Sequence, residues 1–170
     1  MSILPDHHIQ RLAIESKLLT PFCRSQLNPA SYDVLLGPQL MVETPSGLEL
    51  LLIDGTTKEQ PYLMQPGEFL LAQTIETFDL PKNIAAEFRL KSSRAREGLD
   101  QALAVWCDPG WHGSSLTLEL VNNRRMQALP LWHGMKIGQM VFHAIKSTPE
   151  QSYAETGRYN SDLGVQASKG

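Results

Sequence analysis

The chain has 170 residues, 42% of them hydrophobic, which is enough to bury one sizeable core and too little for two comfortable domains. A formal charge of -3 and a pI near 5.9 exclude a surface that is one electrostatic glove for nucleic acid, so any phosphate site has to be local. The two cysteines, Cys23 and Cys107, stand far apart with no C-x-x-C; they leave no disulfide framework to infer, suit a reducing compartment and read as two ordinary buried thiols.

The start from Met1 to Asp6 has neither a basic n-region nor an apolar h-region, and no segment approaches about 18 uninterrupted apolar residues, so a cytoplasmic protein without membrane contact is expected. Pro5 suits a first helical position, and Ile9, Leu12 and Ala13 follow at i, i+3 and i+4, which predicts a short amphipathic helix from about Pro5 to Ile14. After Pro21 short runs rich in Val, Ile, Leu and Phe recur between turn signals. They are Tyr32 to Leu36 before Gly37-Pro38, Leu48 to Ile53 before Asp54-Gly55, Phe69 to Ala72 after Pro66-Gly67, Ile84 to Leu90, Leu116 to Val121 and Ile137 to Ile145. That cadence predicts an all-β sandwich or barrel and not alternating βαβ units. Between the fourth and fifth runs, Ser92 or Ser93 can cap a short helix near 92–97, which Gly98 stops. From Thr148 the apolar periodicity is lost, and the tail of this single domain, 1–170, is expected to be a mobile arm.

Two constellations carry chemistry. Lys91-Ser92-Ser93-Arg94-Ala95-Arg96 places two hydroxyls and three cations at a helix start, which suits either a polyphosphate cradle or a capped surface helix with solvated charges. Asp108-Pro109-Gly110-Trp111-His112-Gly113 leads straight into a strand, where alternation puts Leu116, Leu118 and Leu120 on one face and Ser115, Thr117, Glu119 and Val121 on the other. Glu119 is then either a solvated outward residue or, if its face lines a pocket, a desolvated carboxyl fit for general base and acid work. Activation of a water by a zinc ion held in an H-x-E and P-C-x-x-C ligand set would need both elements. Neither is present, and His7, His8, His112, His133 and His143 show no ligand spacing with the cysteines.

Together with their flanks these segments resemble the deoxycytidine triphosphate (dCTP) deaminase family. Asn28 to Gly37 resembles its Q-P-A-S-x-D-L-R-L-G, with Asn28 for the glutamine and Leu35 for the arginine, and Pro66 to Ala72 resembles P-G-E-F-x-L-A. Lys91 to Leu99 resembles R-S-S-x-x-R-x-G-L, Asp108 to Gly113 D-P-G-W-x-G, Leu116 to Asn122 L-x-L-E-x-x-N, and Gly134 to Gln139 G-M-x-I-G-Q. Arg158-Tyr159 resembles the K-Y of the tail.

The resemblance implies a mainly β, distorted jelly-roll barrel of the dUTPase-like fold, a homotrimer with intersubunit active sites, and zinc-independent deamination of a deoxycytidine nucleotide, dCTP to dUTP plus ammonia. Glu119 then activates the water that attacks cytosine C4, and Ser92 helps to hold it. Lys91, Ser93 and Arg96 are phosphate or active-site contacts, with Arg96 supplied by a neighbouring subunit. Asp108 accepts from the sugar 3′-hydroxyl and Trp111 packs on deoxyribose. Ala104, Trp106 and Thr117 complete the expected substrate contacts. Tyr153, Arg158, Tyr159 and Asp162 belong to a tail closing over the triphosphate and its Mg²⁺, which has no protein ligand of its own.

Three departures stand near the implied pocket. Trp106 replaces an expected cation, Lys91 replaces an arginine and so loses the bidentate fork, and Asp162 puts a negative charge where a neutral glutamine is common. A bulkier wall and altered lid suit a modified cytosine, another phosphorylation state or reduced turnover. Three rival readings remain: a bifunctional enzyme that carries the product through to dUMP, a plain dUTP pyrophosphatase, and a non-catalytic nucleotide-binding trimer. Against the pyrophosphatase, the tail from Arg158 to Ser168 has no Phe to stack on uracil, and Glu119 has no role in phosphate hydrolysis.

Overall fold

The computed structural model describes residues 2–102 and 104–170; Met1 and Leu103 lie outside the described residues. Strand β1 (Ser2–Ile3) precedes helix α1 (Asp6–Ser16), β2 (Leu19–Thr20), a 3-10 turn (Arg24–Gln26) and β3 (Leu27–Asn28). The long strand β4 (Ser31–Thr44) is followed by β5 (Gly47–Leu52), β6 (Tyr62–Met64), β7 (Phe69–Asp79) and β8 (Ile84–Leu90). Helix α2 (Ser92–Glu97), β9 (Leu99–Gln101), β10 (Trp106–Cys107), β11 (His112–Asn122), β12 (Leu129–Leu131), β13 (Lys136–Ala144) and α3 (Tyr153–Thr156) complete the order.

The described pairings are antiparallel and form a mostly β, curled jelly-roll sheet in the order β10-β8-β13-β4-β7-β11-β9, with β5 added to β4 and β6 pairing with β12. The core lies inside that curl. Tyr32, Val34, Leu36, Leu70, Ala72, Phe78, Phe88, Leu118, Leu120, Ile137, Met140 and Phe142 are all buried, and α1 adds Ile9 and Ala13 as its spacing predicts. No described helix is long and apolar enough to cross a membrane.

Gly37-Pro38 does not end a strand as its composition suggests. β4 runs through it to Thr44, changing partner on the way: Tyr32 to Leu35 pair with β13, whereas Leu36 to Val42 pair with β7. The β7 register shifts between Leu36 and Leu40, so a proline that has no N–H to give sits where the ladder is already interrupted, and Pro38 O accepts from Ile53 N at 2.7 Å. Gly37 is needed at that break because a Cβ there would stand 2.7 Å from Gln73 Cγ. The glycine of the G-M-K-I-G-Q segment has a similar reason: a Cβ on Gly138 would meet the Phe88 ring at 2.1 Å.

At α2, neither Ser92 nor Ser93 caps the helix. Lys91 is the N-cap residue and makes no side-chain cap bond, while Gly98 ends the helix in the left-handed region at φ 101°, as expected. The helix start is tied down by charge instead. Lys91 Nζ donates to Asp33 Oδ1 at 2.6 Å, Asn28 Nδ2 donates to the same oxygen at 2.8 Å, and Lys136 Nζ donates to Oδ2 at 3.0 Å. Burial pushes the Asp33 carboxyl up, but these three donors outweigh it and leave the group below the usual carboxylate range. Cys23 is exposed and Cys107 buried, so only one of the two thiols is the packed residue expected of both.

Because the carboxyl of Asp33 is depressed in the folded chain, its stabilising contribution is complete at neutral pH and is lost as pH falls from about 4 through the folded value. Asp33→Asn is therefore expected to cost roughly 1–3 kcal/mol at pH 7 and to flatten the loss of melting temperature between neutral and acid pH. Thermal melts across that range check it, and parallel curves for the two proteins would refute it.

Candidate active site

Strand β11 positions Glu119. Leu118, Leu120 and Asn122 point inward and are fully buried, so alternation turns Thr117 and Glu119 to the opposite face, where a cavity of about 590 Å³ opens. The expected alternation fails at Leu116. The β11–β7 register shifts between Ser115 and Thr117, Leu116 N takes Thr74 Oγ1 as its acceptor at 3.0 Å, and the Leu116 side chain is only half-buried, packed against the core while also lining the cavity. Asn122 at the strand's end fixes the next loop, its Nδ2 donating to Met64 O at 2.9 Å and Gln127 O at 3.1 Å.

Apolar Phe69 and Leu71 line the same cavity as Glu119, Leu71 as its cross-strand neighbour on β7. Burial pushes the Glu119 carboxyl up, and the Gln101 amide, donating from Nε2 to Oε2 at 2.7 Å, offsets only part of that. Neither a cation nor a second acid pairs with it among the described residues. The result is a carboxylate whose affinity for a proton exceeds that of an ordinary glutamate, held beside an open volume. The Cys107 thiol also lines the cavity, but burial pushes it up to about 12, which leaves it protonated and inert near neutral pH.

The Asp108-Pro109-Gly110-Trp111 turn builds the opposite rim. Asp108 is exposed there, and the Trp106 indole N–H donates to its Oδ1 at 3.0 Å. Trp106 is half exposed and stands as a wall of the cavity, whereas Trp111 is almost wholly buried, stacked on Phe78 at 5.6 Å between ring centroids. Ala104 lines the same volume.

The tail expected to be a mobile arm is docked against this turn and β11 in the structure. Tyr153 N donates to Pro109 O at 3.0 Å, Trp111 Nε1 to Tyr159 O at 2.8 Å, Ser115 N to Asp162 O at 3.0 Å, and Gln166 N to Thr117 Oγ1 at 3.1 Å. Polar backbone bonds hold it, which is why it shows no apolar periodicity. Gly110 permits the approach: a Cβ there would lie 2.0 Å from Ser152 Oγ. Tyr153, Tyr159 and Asp162 thereby join the cavity lining, together with Gln166, Ala167 and Ser168. Asp162 is ion-paired to Lys169 at 2.6 Å, so the tail neutralises the charge that stands out in its sequence.

Nine of the sequence-derived site residues thus meet at one cavity: Glu119, Thr117, Ala104, Trp106, Asp108, Trp111, Tyr153, Tyr159 and Asp162. Five do not. Ser92, Ser93 and Arg96 are exposed on α2, Lys91 is engaged by Asp33, and Arg158 is exposed on the tail with its carbonyl accepting from Lys169 Nζ at 3.0 Å. Gln101 escaped the sequence reading, since nothing in a Leu-Asp-Gln run announces a partner 18 residues away. Among the described residues no three His, Cys, Asp or Glu side chains are grouped so as to hold a metal ion.

Comparison with known proteins identifies the family. A family model described as dCTP deaminase-like matches residues 3–145. The chain is 33% identical over 182 residues to a dUMP-forming dCTP deaminase of Leifsonia xyli, covering 98% of this chain and 90% of that protein. It is 34% identical over 167 residues to a dCTP deaminase of Pyrococcus horikoshii, covering 98% and 97%. Among solved structures, the 2′-deoxycytidine 5′-triphosphate deaminase of Agrobacterium tumefaciens superimposes with a TM-score of 0.67 at 21% identity over 84% of this chain, which spans about half, 47%, of that longer chain. The chain belongs to the dCTP deaminase-like family.

Proposed function

We propose that this protein deaminates dCTP hydrolytically, with Glu119 as the base that activates water. The observation that carries the reading is the desolvated Glu119 carboxylate, without a cationic partner among the described residues, at the wall of a cavity large enough for a nucleoside. In the proposed reaction Glu119 takes a proton from water as the oxygen bonds to cytosine C4. It then returns protons to the departing nitrogen, so that the C4–N bond breaks, ammonia leaves and the ring becomes uracil. Burial supports this cycle because it brings the carboxyl's proton affinity closer to that of the groups it serves.

Asp108 suits the sugar 3′-hydroxyl, since Trp106 engages Oδ1 and Oδ2 has no partner among the described residues. Trp111, with its ring packed and its N–H spent on the Tyr159 carbonyl, gives the sugar a rigid floor. Mg²⁺ is expected to enter with the phosphates; Asp162, the tail carboxylate that lines the cavity, is already paired with Lys169, which fits an ion held by substrate and not by a protein cage.

Among the described residues of one chain no arginine or lysine lines the cavity, yet a triphosphate needs cations. Exposed Ser92, Ser93 and Arg96 on α2 are the groups this reading assigns to the cavity of a neighbouring copy in a trimer. A second reading concerns the product. The name of the Leifsonia xyli relative specifies dUMP, which favours onward loss of pyrophosphate from the same bound nucleotide, with exposed Asp108 placed to act on the second water.

Incubation with dCTP should release one ammonia per nucleotide, and anion-exchange separation should then show dUTP, or dUMP with pyrophosphate on the second reading. Glu119→Gln should lower kcat by about 10² to 10⁴ and leave nucleotide binding by calorimetry largely intact. Tight binding with no ammonia from the natural chain, or near-normal turnover in the variant, would contradict the reading. Since the base must be ionised, kcat/KM should fall on the acid side with a midpoint above the ordinary glutamate range, the direction set by burial. Each inactive variant, Glu119→Gln or Arg96→Ala, should regain about a quarter of wild-type activity when the two are co-refolded in equal amounts, because roughly one site in four then combines both intact residues. No recovery would mean that Glu119 and Arg96 do not meet across subunits.

A further inference from the structure

Gln101 ends β9 opposite Leu120 of β11 and is 7% exposed, a polar residue at a position facing core leucine. Its carboxamide has a defined orientation. Nε2 donates to Glu119 Oε2 at 2.7 Å and to Ala102 O at 3.1 Å, and a flipped amide would turn an oxygen toward both acceptors. The two segments are also stitched by backbone, Ala102 N donating to Glu119 O at 2.9 Å. Gln101 Oε1 is buried and has no hydrogen-bond partner among the described residues. No other described side chain donates to the Glu119 carboxylate.

A lysine or arginine at this point would hold Glu119 ionised so firmly that it would make a poor base. An aliphatic side chain would leave a desolvated carboxylate with no partner. A glutamine avoids both faults: its N–H donates to the carboxylate without bringing a charge to it.

We propose that Gln101 is a positioning residue for the deamination. Nε2 holds Oε2 of Glu119, which turns the other carboxylate oxygen to the attacking water, where it takes that water's proton and keeps the acid O–H pointed at the departing nitrogen. Gln101 exchanges only hydrogen bonds; the proton passes between water, Glu119 and the departing nitrogen. The proposal rests on Glu119 being the base.

Gln101→Leu keeps the volume and removes the donor to Glu119. Its kcat for ammonia release from dCTP should fall about 10-fold or more with KM within roughly 3-fold of wild type, and the acid limb of kcat/KM should move up by about one pH unit. Gln101→Glu can donate to Glu119 only while the pair shares a proton, so it should keep activity at low pH and lose it as pH rises, a reversal that altered packing does not produce. An unmoved acid limb and near-normal kcat in Gln101→Leu overturn the proposal; should that variant not fold, a wild-type pH profile in Gln101→Glu overturns it instead. Full activity in Glu119→Gln would sink the assignment of Glu119 and this proposal with it, whereas an inactive Glu119→Gln beside an unaffected Gln101→Leu sinks this proposal alone.

Discussion

Keeping one carboxylate out of water without a cation beside it is the constraint around which the rest of this site is arranged. Such a group is costly to bury and, for that reason, avid for a proton. The contrast with Asp33 shows that the partners, and not the burial alone, decide the outcome. Asp33 is also buried, but two lysines and an asparagine surround it and its carboxyl is depressed. It serves as a strut between β4, β13 and the start of α2. Glu119 has one neutral amide, and its carboxyl is raised. Glu76 supplies the control: buried to 1% exposure and likewise raised, it is closed in by Gln26 Nε2 at 2.7 Å and Leu35 N at 3.0 Å and lines no part of the cavity. A raised carboxyl becomes a functional group only where a reactant can reach it, and of these two only Glu119 has that access.

The open volume beside Glu119 exists because the tail is docked. Residues from Ser152 to Ser168 run along the Asp108–Trp111 turn and β11 and provide much of the cavity's far side. The bonds that hold this segment are mainly between backbone and side-chain polar groups, with Val165 as its buried apolar contact. Such a contact set can open at modest cost compared with the core strands, since few apolar side chains have to be exposed. Lys169 adds a restraint at the far end, paired with Asp162 and lying 5.0 Å from the Tyr159 ring centre. A triphosphate entering here would compete with Asp162 for that ammonium, which couples the tail's position to the charge of the ligand.

The long strands and helix α1 are legible in the sequence because each buries a recognisable periodic face, as with Ile9 and Ala13 on α1 or Leu118 and Leu120 on β11, whereas α2 buries no residue and is legible from its Gly98 stop. Two-residue and three-residue strands such as β2, β9 and β10 are invisible, being too short to show alternation and fixed only by their partners. Gly37-Pro38 misleads for a related reason: its local chemistry is that of a turn, but a change of partner in mid-strand gives it another use. At the site, Glu119, Asp108 and Trp111 are legible through dense local motifs. Gln101 and the Lys169–Asp162 pair are not, because each depends on a contact formed only when distant segments fold together.

Trp106 illustrates how a departure in sequence gains meaning from geometry. Where a cation would have stood near the nucleotide, the chain has an aromatic wall whose N–H is spent on Asp108 and whose ring lies 5.8 Å from that of His143. The loss of charge at this point is a loss of phosphate attraction, but it also removes a cation that would otherwise stand beside the same cavity as Glu119 and favour its ionised form. An apolar wall does the opposite: it deepens the desolvation that keeps the carboxyl raised. Two features that look independent in the sequence, a tryptophan where a cation is expected and a glutamine bonded to Glu119, therefore meet at one carboxylate: the wall leaves it without a charge beside it among the described residues, and the neutral amide orients it while offsetting only part of its desolvation.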